Sequence, residues 1–386
     1  MNRASVVIVG GGVMGASAAY HLAARGRRDV LVLDRSSEPG AGSTGRATGG
    51  FRAQFSTPIQ VRLSLLARKK LKSFRKDTGV DPGYQPAGYL WLAVNESEMA
   101  VLRAALAVQH AEGLKEAREV SVAEIAKLNP RVALDGVVGG CFCPTDGFIV
   151  PMRLLEGYLA AAQHLGVRVE WGTEVTGFER GGSDKLSRVL TTRGTITAGA
   201  VVNAAGPWAG SIAQLAGTEL PVVPLRRQVA ATTPNDLFPA DMPMTIFAGD
   251  GFHFRVRDRR LLLLYPTPGV TDRPFDARVD QKWVAQVATI ARQRIPIFER
   301  AEIDRAACHA GLYEMSPDRH AILGAAPECA NLYYINGSSG HGVMHSTALG
   351  QLLAELMVDG KTSIDTSALA PTRFAEGRLN VSSELL

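Results

Sequence analysis

The chain has 386 residues, of which 46% are hydrophobic and 20% charged, and its formal net charge at pH 7 is +5. This composition is typical of a soluble globular protein, and the length exceeds that of one usual hydrophobic core, so we expect two domains. The basic residues are scattered, so we expect no nucleic-acid partner. No apolar run has membrane-spanning length, so we expect no transmembrane segment. Since the first strand leaves no room for a signal peptide, we expect a cytoplasmic protein.

Residues 6–34, VVIVGGGVMGASAAYHLAARGRRDVLVLD, predict an apolar strand, a glycine turn, a helix and a second apolar strand. Gly10 permits the tight turn, Gly12 lets the backbone approach a pyrophosphate, and Gly15 lets the helix pack closely on the strand. Asp34 comes 19 residues after Gly15, where a carboxylate can accept a hydrogen bond from a ribose hydroxyl. This unit predicts a dinucleotide site, and by itself it does not choose between FAD and NAD.

The hydrophobic pattern predicts the later elements in chain order. A segment rich in glycine at 39–52 predicts a close-fitting loop, because so many glycines disfavour regular structure. Helices are predicted near 58–76, 96–112, 121–128, 151–166, 280–295 and 343–358. Strands are predicted near 89–94, 167–171, 201–204, 252–256, 261–265 and 332–336, and a short hairpin through 188–197. The strands between about 221 and 309 favour an antiparallel sheet. The last strand, glycine loop and helix repeat the logic of the opening unit, so we predict that the chain leaves a nucleotide-binding domain, forms a second domain and returns.

The chain contains four cysteines: Cys141, Cys143, Cys308 and Cys329. No Cys/His pair at zinc-ligand spacing accompanies them, so we predict reduced structural thiols and no metal site.

Three separated motifs occur in a fixed order: the opening unit with its acid, the turn Ala205-Gly206-Pro207-Trp208, and GLYEMSPD at 311–318 followed by Gly340-His341-Gly342. With these motifs the chain resembles the D-amino-acid oxidase superfamily of FAD enzymes, in its sarcosine oxidase, glycine oxidase and dimethylglycine dehydrogenase branch. The resemblance spans nearly the whole chain and favours FAD over NAD. It implies an α/β protein with a Rossmann-like FAD-binding domain of the glutathione-reductase type, at 1–85, 146–220 and 310–386. A second, α+β substrate domain on a mostly antiparallel sheet is expected at 86–145 and 221–309.

The resemblance also implies which residues contact FAD. The adenosine end is expected at Asp34, Arg35 and the backbone of Val175, the pyrophosphate and ribityl chain at Ser43, Thr44 and Arg46, and the underside of the flavin at Thr48, Gly49 and Gly50. The other expected contacts are Gly10, Gly12, Val13, Met14, Gly15, Ala205, Gly206, Trp208, Gly311, Gly340, His341, Gly342, Val343 and Met344. At the last helix, backbone N–H groups would stabilise negative charge on the reduced flavin.

Four residues are implied in the substrate site: Arg52, Tyr313, His341 and His253. Arg52 would hold the substrate carboxylate, because a guanidinium offers a planar fork of donors. Tyr313 and His341 would orient the amine, and His253 is a weaker candidate on a strand. Each residue has an alternative role without a ligand. Arg52 is then an exposed loop arginine, Tyr313 a core tyrosine, His341 a packing histidine and His253 a half-buried strand histidine.

Four departures from the family pattern narrow the expectation. Gly311 stands where monomeric sarcosine oxidases carry the cysteine that binds FAD, so the FAD is predicted to be non-covalent. Val150 and Pro151 stand where a heterotetrameric enzyme carries its FMN-linked histidine. His253 replaces the lysine that activates oxygen, which puts oxidase activity in question, and Met344 replaces a second carboxylate-holding lysine, so the pocket should suit a substrate larger or more apolar than sarcosine.

The predicted function is FAD-dependent oxidation of an amino acid or of a secondary or N-substituted amine to an imine, by hydride transfer to flavin N5. One alternative is a flavin-containing subunit or assembly factor with little turnover, since residues 50–56, GFRAQFS, resemble a flavoprotein group associated with respiratory-complex assembly. An NAD-dependent dehydrogenase is disfavoured by the later motifs. The amine, the electron acceptor (oxygen, a quinone or a partner subunit) and the oligomeric state stay open.

Overall fold

A computed structural model describes residues 3–181, 184–266 and 273–381. The two termini of the predicted FAD-binding domain, residues 1–2 and 382–386, lie outside the described residues. The helices are α1 (Val13–Ala24), α2 (Ser43–Arg46), α3 (Pro58–Thr78), α4 (Glu96–Ala111), α5 (Val122–Leu128), α6 (Pro151–His164), α7 (Ala209–Leu215), α8 (Gln281–Arg294) and α9 (Gly342–Asp359). The strands up to residue 203 are β1 (Arg3–Val9), β2 (Val30–Asp34), β3 (Gly50–Phe51), β4 (Tyr89–Ala93), β5 (Arg118–Val120), β6 (Gly139–Cys143), β7 (Gly147–Phe148), β8 (Arg168–Trp171), β9 (Val175–Arg180), β10 (Leu186–Thr191) and β11 (Gly194–Asn203). The later strands are β12 (Val223–Ala231), β13 (Met244–Phe247), β14 (His253–Arg257), β15 (Arg260–Leu264), β16 (His309–Met315), β17 (Ile322–Ala326) and β18 (Cys329–Asn336).

The first sheet carries the opening unit and has the order β17-β18-β11-β1-β2-β8, with β9 and β10 attached to β11. Strand β1 is parallel to both β2 and β11, and β11 is parallel to β18. These strands are apolar on both faces because α1 and α9 cover one face while α7 and the β9–β10 hairpin cover the other. Helices α1 and α9 approach closely at Gly350, where a Cβ atom would overlap Ser17.

The second sheet has the order β16-β12-β15-β14-β13-β4-β6-β5 and is antiparallel except for the β13–β4 pair. One face packs on α8 around residues such as Phe254 and Leu263. Its opposite face is turned toward the first domain, so the two domains meet across the candidate site described below.

The α/β class, the Rossmann-like unit and the mostly antiparallel second sheet are confirmed. The loop predicted at 39–52 contains the single helical turn α2 and the two-residue strand β3, because its backbone pairs with neighbouring segments in spite of its glycines. The predicted boundary at residue 310 differs from the sheet boundary: β16 pairs with β12 from Met315 to His309, so 310–315 belong to the second sheet.

Two further findings concern the whole described chain. None of the helices in residues 3–181, 184–266 and 273–381 is both long and apolar enough to span a membrane. The four cysteines are buried, and none of them is disulfide-bonded.

Candidate active site

The glycine turn between β1 and α1 is tight for steric reasons. Gly10 has a φ of +110°, and a Cβ atom there would overlap the carbonyl oxygen of Ala204 at the end of β11. A Cβ atom at Gly15 would overlap the carbonyl oxygen of Gly10. At Gly12 the nearest atom to such a Cβ is Thr44 Oγ1 at 3.4 Å, so the N-terminus of α1 is open to a ligand.

Asp34 ends β2 beside this turn and is held in one orientation. Its Oδ2 accepts a hydrogen bond from the N–H of Gly11 and its Oδ1 accepts one from the N–H of Ser36, both at 2.8 Å. Next to it, the guanidinium of Arg35 lies 4.1 Å above the Trp208 ring, which itself stacks on Phe275. The residues expected at the adenosine end therefore come together at the carboxyl edge of the first sheet.

Short polar contacts join α2 to both domains. Thr44 Oγ1 accepts from the N–H of Val13 (3.1 Å), Ser43 Oγ donates to the carbonyl of Leu312 (2.8 Å), and Arg46 Nη1 donates to the carbonyl of Ala310 (3.0 Å). Helix α2 thus lies between the N-terminus of α1 and strand β16, in the position expected for a segment along the cofactor.

An arginine that the sequence did not single out supports the following loop. Arg255 is 5% exposed, its Nη1 donates to the carbonyls of Thr48 (2.8 Å) and Gly49 (3.3 Å), and its guanidinium lies 3.5 Å from the Phe148 ring. Arg257 donates to the carbonyl of Ala47 (3.2 Å). The one signal in the sequence is the alternation that places His253, Arg255 and Arg257 on one face of β14, and by itself it does not show that the other domain covers this face.

The strand registers place the chemistry-bearing residues of the second sheet on one face. Pairing from β16 through β12, β15, β14 and β13 to β4 puts six polar or aromatic side chains on that face: Tyr313, Arg227, His253, Arg255, Tyr89 and Trp91. The face meets the nucleotide-binding domain, because Cβ atoms at Gly50 and Gly340 would overlap Tyr89 and Tyr313 respectively.

Arg52 lies at the centre of this junction and is 8% exposed, so the alternative of an exposed loop arginine is wrong. Its Nη1 donates to the carbonyl of Gln54 (2.6 Å), and its guanidinium lies 4.0 Å from the Phe55 ring and 5.1 Å from the Trp91 ring. Burial lowers its pKa to about 10, which leaves it charged at neutral pH. It forms no ion pair with any carboxylate in the described part of the chain.

His341 is the neighbour of Arg52 on the loop before α9. Arg52 Nη2 lies 3.3 Å from His341 Nε2, and since a guanidinium only donates, Nε2 accepts and the proton sits on Nδ1. Nδ1 is buried and has no hydrogen-bond partner among the described residues. Burial lowers the pKa of His341 well below its usual value, and the charge of Arg52 adds to this, so the ring is neutral at pH 7.

Tyr313 and His253 share the electrostatic environment of Arg52. Burial raises the pKa of Tyr313, although the charges of Arg227 and Arg52 oppose the shift. Burial lowers the pKa of His253 to about 4, and both arginines contribute to the shift. The His253 Nδ1 lies 2.8 Å from the carbonyl of Gly251, which assigns its proton to Nδ1 and leaves Nε2 as an acceptor.

Asp146 is a buried acid behind Arg52 that the sequence did not single out. Its oxygens accept hydrogen bonds from the N–H of Ala53 (2.8 Å), the N–H of Gln54 (3.4 Å) and the Gln54 side chain (3.2 Å). Burial raises its pKa to about 6, while these hydrogen bonds and the charge of Arg52 oppose that rise. Asp146 therefore fixes the backbone that carries Arg52.

Unsatisfied polar atoms surround the loop 337–342. Glu314 Oε2, Ser338 Oγ and His341 Nδ1 are buried there without a partner among the described residues. Gly340, with a φ of +96°, turns the chain into α9, whose first N–H groups face the same space. Buried polar groups of this kind are normally satisfied, so the site fits a polar ligand such as FAD.

The remaining predicted contacts are of two kinds. Ala205 and Gly206 form the turn after β11, where the N–H of Gly206 donates to Asn336 (3.3 Å). Val175 is 6% exposed with its side chain in an apolar cluster, which leaves only its backbone for a ligand. Val343 and Met344 lie in the first turn of α9, and Met344 is 5% exposed and packs into the apolar core, so its side chain serves packing.

Comparisons with known proteins show the family and the fold of the chain. The family profile described as FAD dependent oxidoreductase (DAO) matches residues 5–356. The chain is 30% identical to the FAD-dependent oxidoreductase domain-containing protein 1 of Bos taurus over 97% of this chain and 84% of that protein. It is also 30% identical to the glycine oxidase of Geobacillus kaustophilus over 96% of this chain and 97% of that protein. The crystal structure of L-proline dehydrogenase from P. horikoshii superimposes with a TM-score of 0.90 at 27% identity, covering 98% of this chain and 100% of that chain.

Proposed function

We propose that this chain, which belongs to the DAO family of FAD-dependent oxidoreductases, oxidises an amino acid or a secondary or N-substituted amino acid to the corresponding imine. The observation that carries the proposal is the buried guanidinium of Arg52, which faces the junction of the two domains without a carboxylate partner among the described residues. A buried charge of this kind calls for an anion. The names of two relatives, glycine oxidase and L-proline dehydrogenase, point to small amino acids as the source of that anion.

Arg52 binds the substrate carboxylate. A guanidinium has five N–H donors, and the contacts to Gln54 and His341 use one on each terminal nitrogen. The donors that remain can hold a carboxylate as a fork. The rings of Phe55 and Trp91 flank the guanidinium and provide an apolar boundary that suits a cyclic or N-alkyl substituent.

The surrounding charges select the neutral amine. Arg52 and Arg227 are positive, while His341 and His253 are neutral at pH 7 because burial lowers the pKa of each. This positive field disfavours an ammonium ion in the same space and so favours the amine with its lone pair free. His341 Nδ1 and the Tyr313 hydroxyl are the groups that orient the amine.

The cofactor is held mainly by the first domain. Asp34 would hold the adenosine ribose, the N-terminus of α1 would hold the pyrophosphate, and the loop held by Arg255 would support the flavin. When bound, FAD supplies the acceptor for the hydride that leaves the carbon beside nitrogen. The protein orients that carbon through Arg52 and excludes water with the two domains. Water then hydrolyses the imine product.

The test is anaerobic flavin reduction over paired compounds. Each amino acid of the panel (proline, sarcosine, N,N-dimethylglycine, glycine and further L- and D-amino acids) is matched with the amine that lacks the carboxylate, for example proline with pyrrolidine. We expect at least one amino acid to bleach the flavin absorbance, and its matched amine to be at least 30-fold slower.

Two results would contradict the proposal. If an amine without a carboxylate reduces the flavin as fast as its amino acid, the role of Arg52 in substrate binding fails. If the whole panel leaves the flavin oxidised while FAD is fully bound, the alternative of a flavin-containing subunit with little turnover becomes the better explanation. Reoxidation of the reduced protein with and without oxygen then distinguishes an oxidase from a dehydrogenase.

A further inference from the structure

A buried acid on β16, Glu314, points away from the face that carries Tyr313 and lies beside the N-termini of α1 and α9. Glu314 is 9% exposed, and its Oε1 accepts a hydrogen bond from the N–H of Ser338 at 3.2 Å. Its Oε2 is buried and has no partner in the described part of the chain. Burial raises the pKa of Glu314 to about 7, although contacts with the backbone and side chain of Ser338 and with the backbone of Gly337 oppose the rise. A buried acceptor without a donor is costly, so this atom calls for a ligand.

Two glycines pack beside this carboxyl group. A Cβ atom at Gly206, whose φ is +56°, would lie 3.8 Å from Oε2. At Gly342 the nearest atoms to such a Cβ would be Glu314 Oε1 at 3.4 Å and Met14 Cε at 3.5 Å, which is ordinary contact. Met14 lies in the first turn of α1 and Gly342 begins α9. The carboxyl group therefore lies at the N-termini of two helices, beside two residues that have no side chain.

The chemistry of a carboxyl oxygen decides which part of FAD fits there. A carboxylate repels the pyrophosphate and binds hydrogen-bond donors. The hydrogen-bond donors of FAD are the hydroxyls of the adenosine ribose and of the ribityl chain, the adenine amino group and the flavin N3–H. The proposed function assigns the adenosine end to Asp34 and the flavin to the loop held by Arg255, which leaves the ribityl hydroxyls. We propose that Glu314 is a cofactor-binding residue whose Oε2 accepts a hydrogen bond from a ribityl hydroxyl of FAD. This inference depends on FAD binding alone and is independent of the substrate.

The experiment measures cofactor discrimination in the holoprotein. The holoprotein is equilibrated with FAD in competition with analogues that lack one ribityl hydroxyl (2′-, 3′- or 4′-deoxy-FAD), and the bound flavin is extracted and quantified by mass spectrometry. A hydrogen bond to a charged group corresponds to roughly 10- to 100-fold in affinity. We expect the unaltered protein to disfavour one of the three analogues by this factor.

The variants decide whether Glu314 is the acceptor. In Glu314→Ala the discrimination should fall to about one, and in Glu314→Gln, which keeps an acceptor oxygen, part of it should remain. Glu328→Gln, an exposed acid on the β17–β18 hairpin, is the matched control and should discriminate as the unaltered protein does. Retention of the full discrimination in Glu314→Ala overturns the proposal, and so does equal affinity of the unaltered protein for all three analogues. A weaker affinity of Glu314→Ala for FAD with unchanged discrimination also overturns it, because the residue would then only support the loop at 338.

Discussion

Replacement of Arg52 by alanine tests the substrate site most directly. Arg52 is 8% exposed and charged at neutral pH, so a carboxylate bound to it forms a pair largely shielded from water. Truncating one partner of a buried, hydrogen-bonded charge pair costs about 2–5 kcal/mol. At 1.4 kcal/mol per factor of ten, we expect the rate of flavin reduction at limiting amino-acid concentration to fall by about 30- to 4,000-fold. Arg52→Lys keeps the charge and loses the fork, so its loss should be intermediate.

The assay compares each amino acid with its matched amine in stopped-flow anaerobic reduction. In the unaltered protein the ratio of the two rates measures the contribution of the carboxylate, and in Arg52→Ala this ratio should approach one. Arg292→Ala, on the exposed side of α8, is the control, and FAD content per protein reports correct folding. An equal loss for the amino acid and its matched amine would refute the reasoning, because Arg52 would then act on the fold or on the flavin and not on the carboxylate.

Three further predictions concern acids near the site. Asp146→Asn removes a carboxyl group whose pKa burial raises from 3.8 to about 6. Because the folded protein holds this proton more tightly than the unfolded chain, the free energy of unfolding is highest below pH 4 and falls by about 3 kcal/mol as the pH rises to 6. In the variant, the urea denaturation midpoint should no longer show this decrease. Arg373→Met removes the ion-pair partner of the buried Asp318, 2.8 Å away, and should lower the free energy of unfolding in urea by about 3–5 kcal/mol. Asp34→Ala should weaken FAD binding about tenfold, measured by flavin fluorescence on dilution, because a carboxylate hydrogen bond to the ribose is lost; unchanged affinity would exclude that contact.

The nucleotide-binding unit was predictable because its constraints are local. Gly10 and Gly15 occur where β1, α1 and β11 leave no space for a side chain, and the strand and helix around them follow from hydrophobic period. The family resemblance then identified Arg52 and His341, which lie 289 positions apart in sequence and meet in the structure at 3.3 Å. Their roles toward substrate and flavin stay predictions.

The residues that sequence analysis missed have roles set by tertiary contact. Asp146 precedes Gly147, a pair typical of an exposed turn, yet it is buried because the N–H groups of Ala53 and Gln54 need an acceptor. Arg255 alternates with apolar residues on β14, which predicts a solvent-facing position, but the nucleotide-binding domain covers that face. The sequence predicts that β16 belongs to the FAD-binding domain, whereas in the structure it pairs with β12 in the sheet of the second domain.

Two buried acids lie near the candidate site, and neither of them forms an ion pair that would neutralise the charge of Arg52. Asp146 accepts hydrogen bonds from the backbone N–H groups of Ala53 and Gln54, and Glu314 accepts one through Oε1 from the N–H of Ser338. Neither acid forms an ion pair with Arg52, although Asp146 is close enough for the two charges to act on each other. Since the neighbouring histidines are neutral at pH 7, the same charge that attracts a carboxylate also disfavours an ammonium ion next to it. The charge of Arg52 would then serve both to recognise the amino acid and to select its reactive, unprotonated amine. Arg52→Ala should therefore weaken substrate binding and also raise the apparent pKa of the substrate amine in the pH profile of flavin reduction.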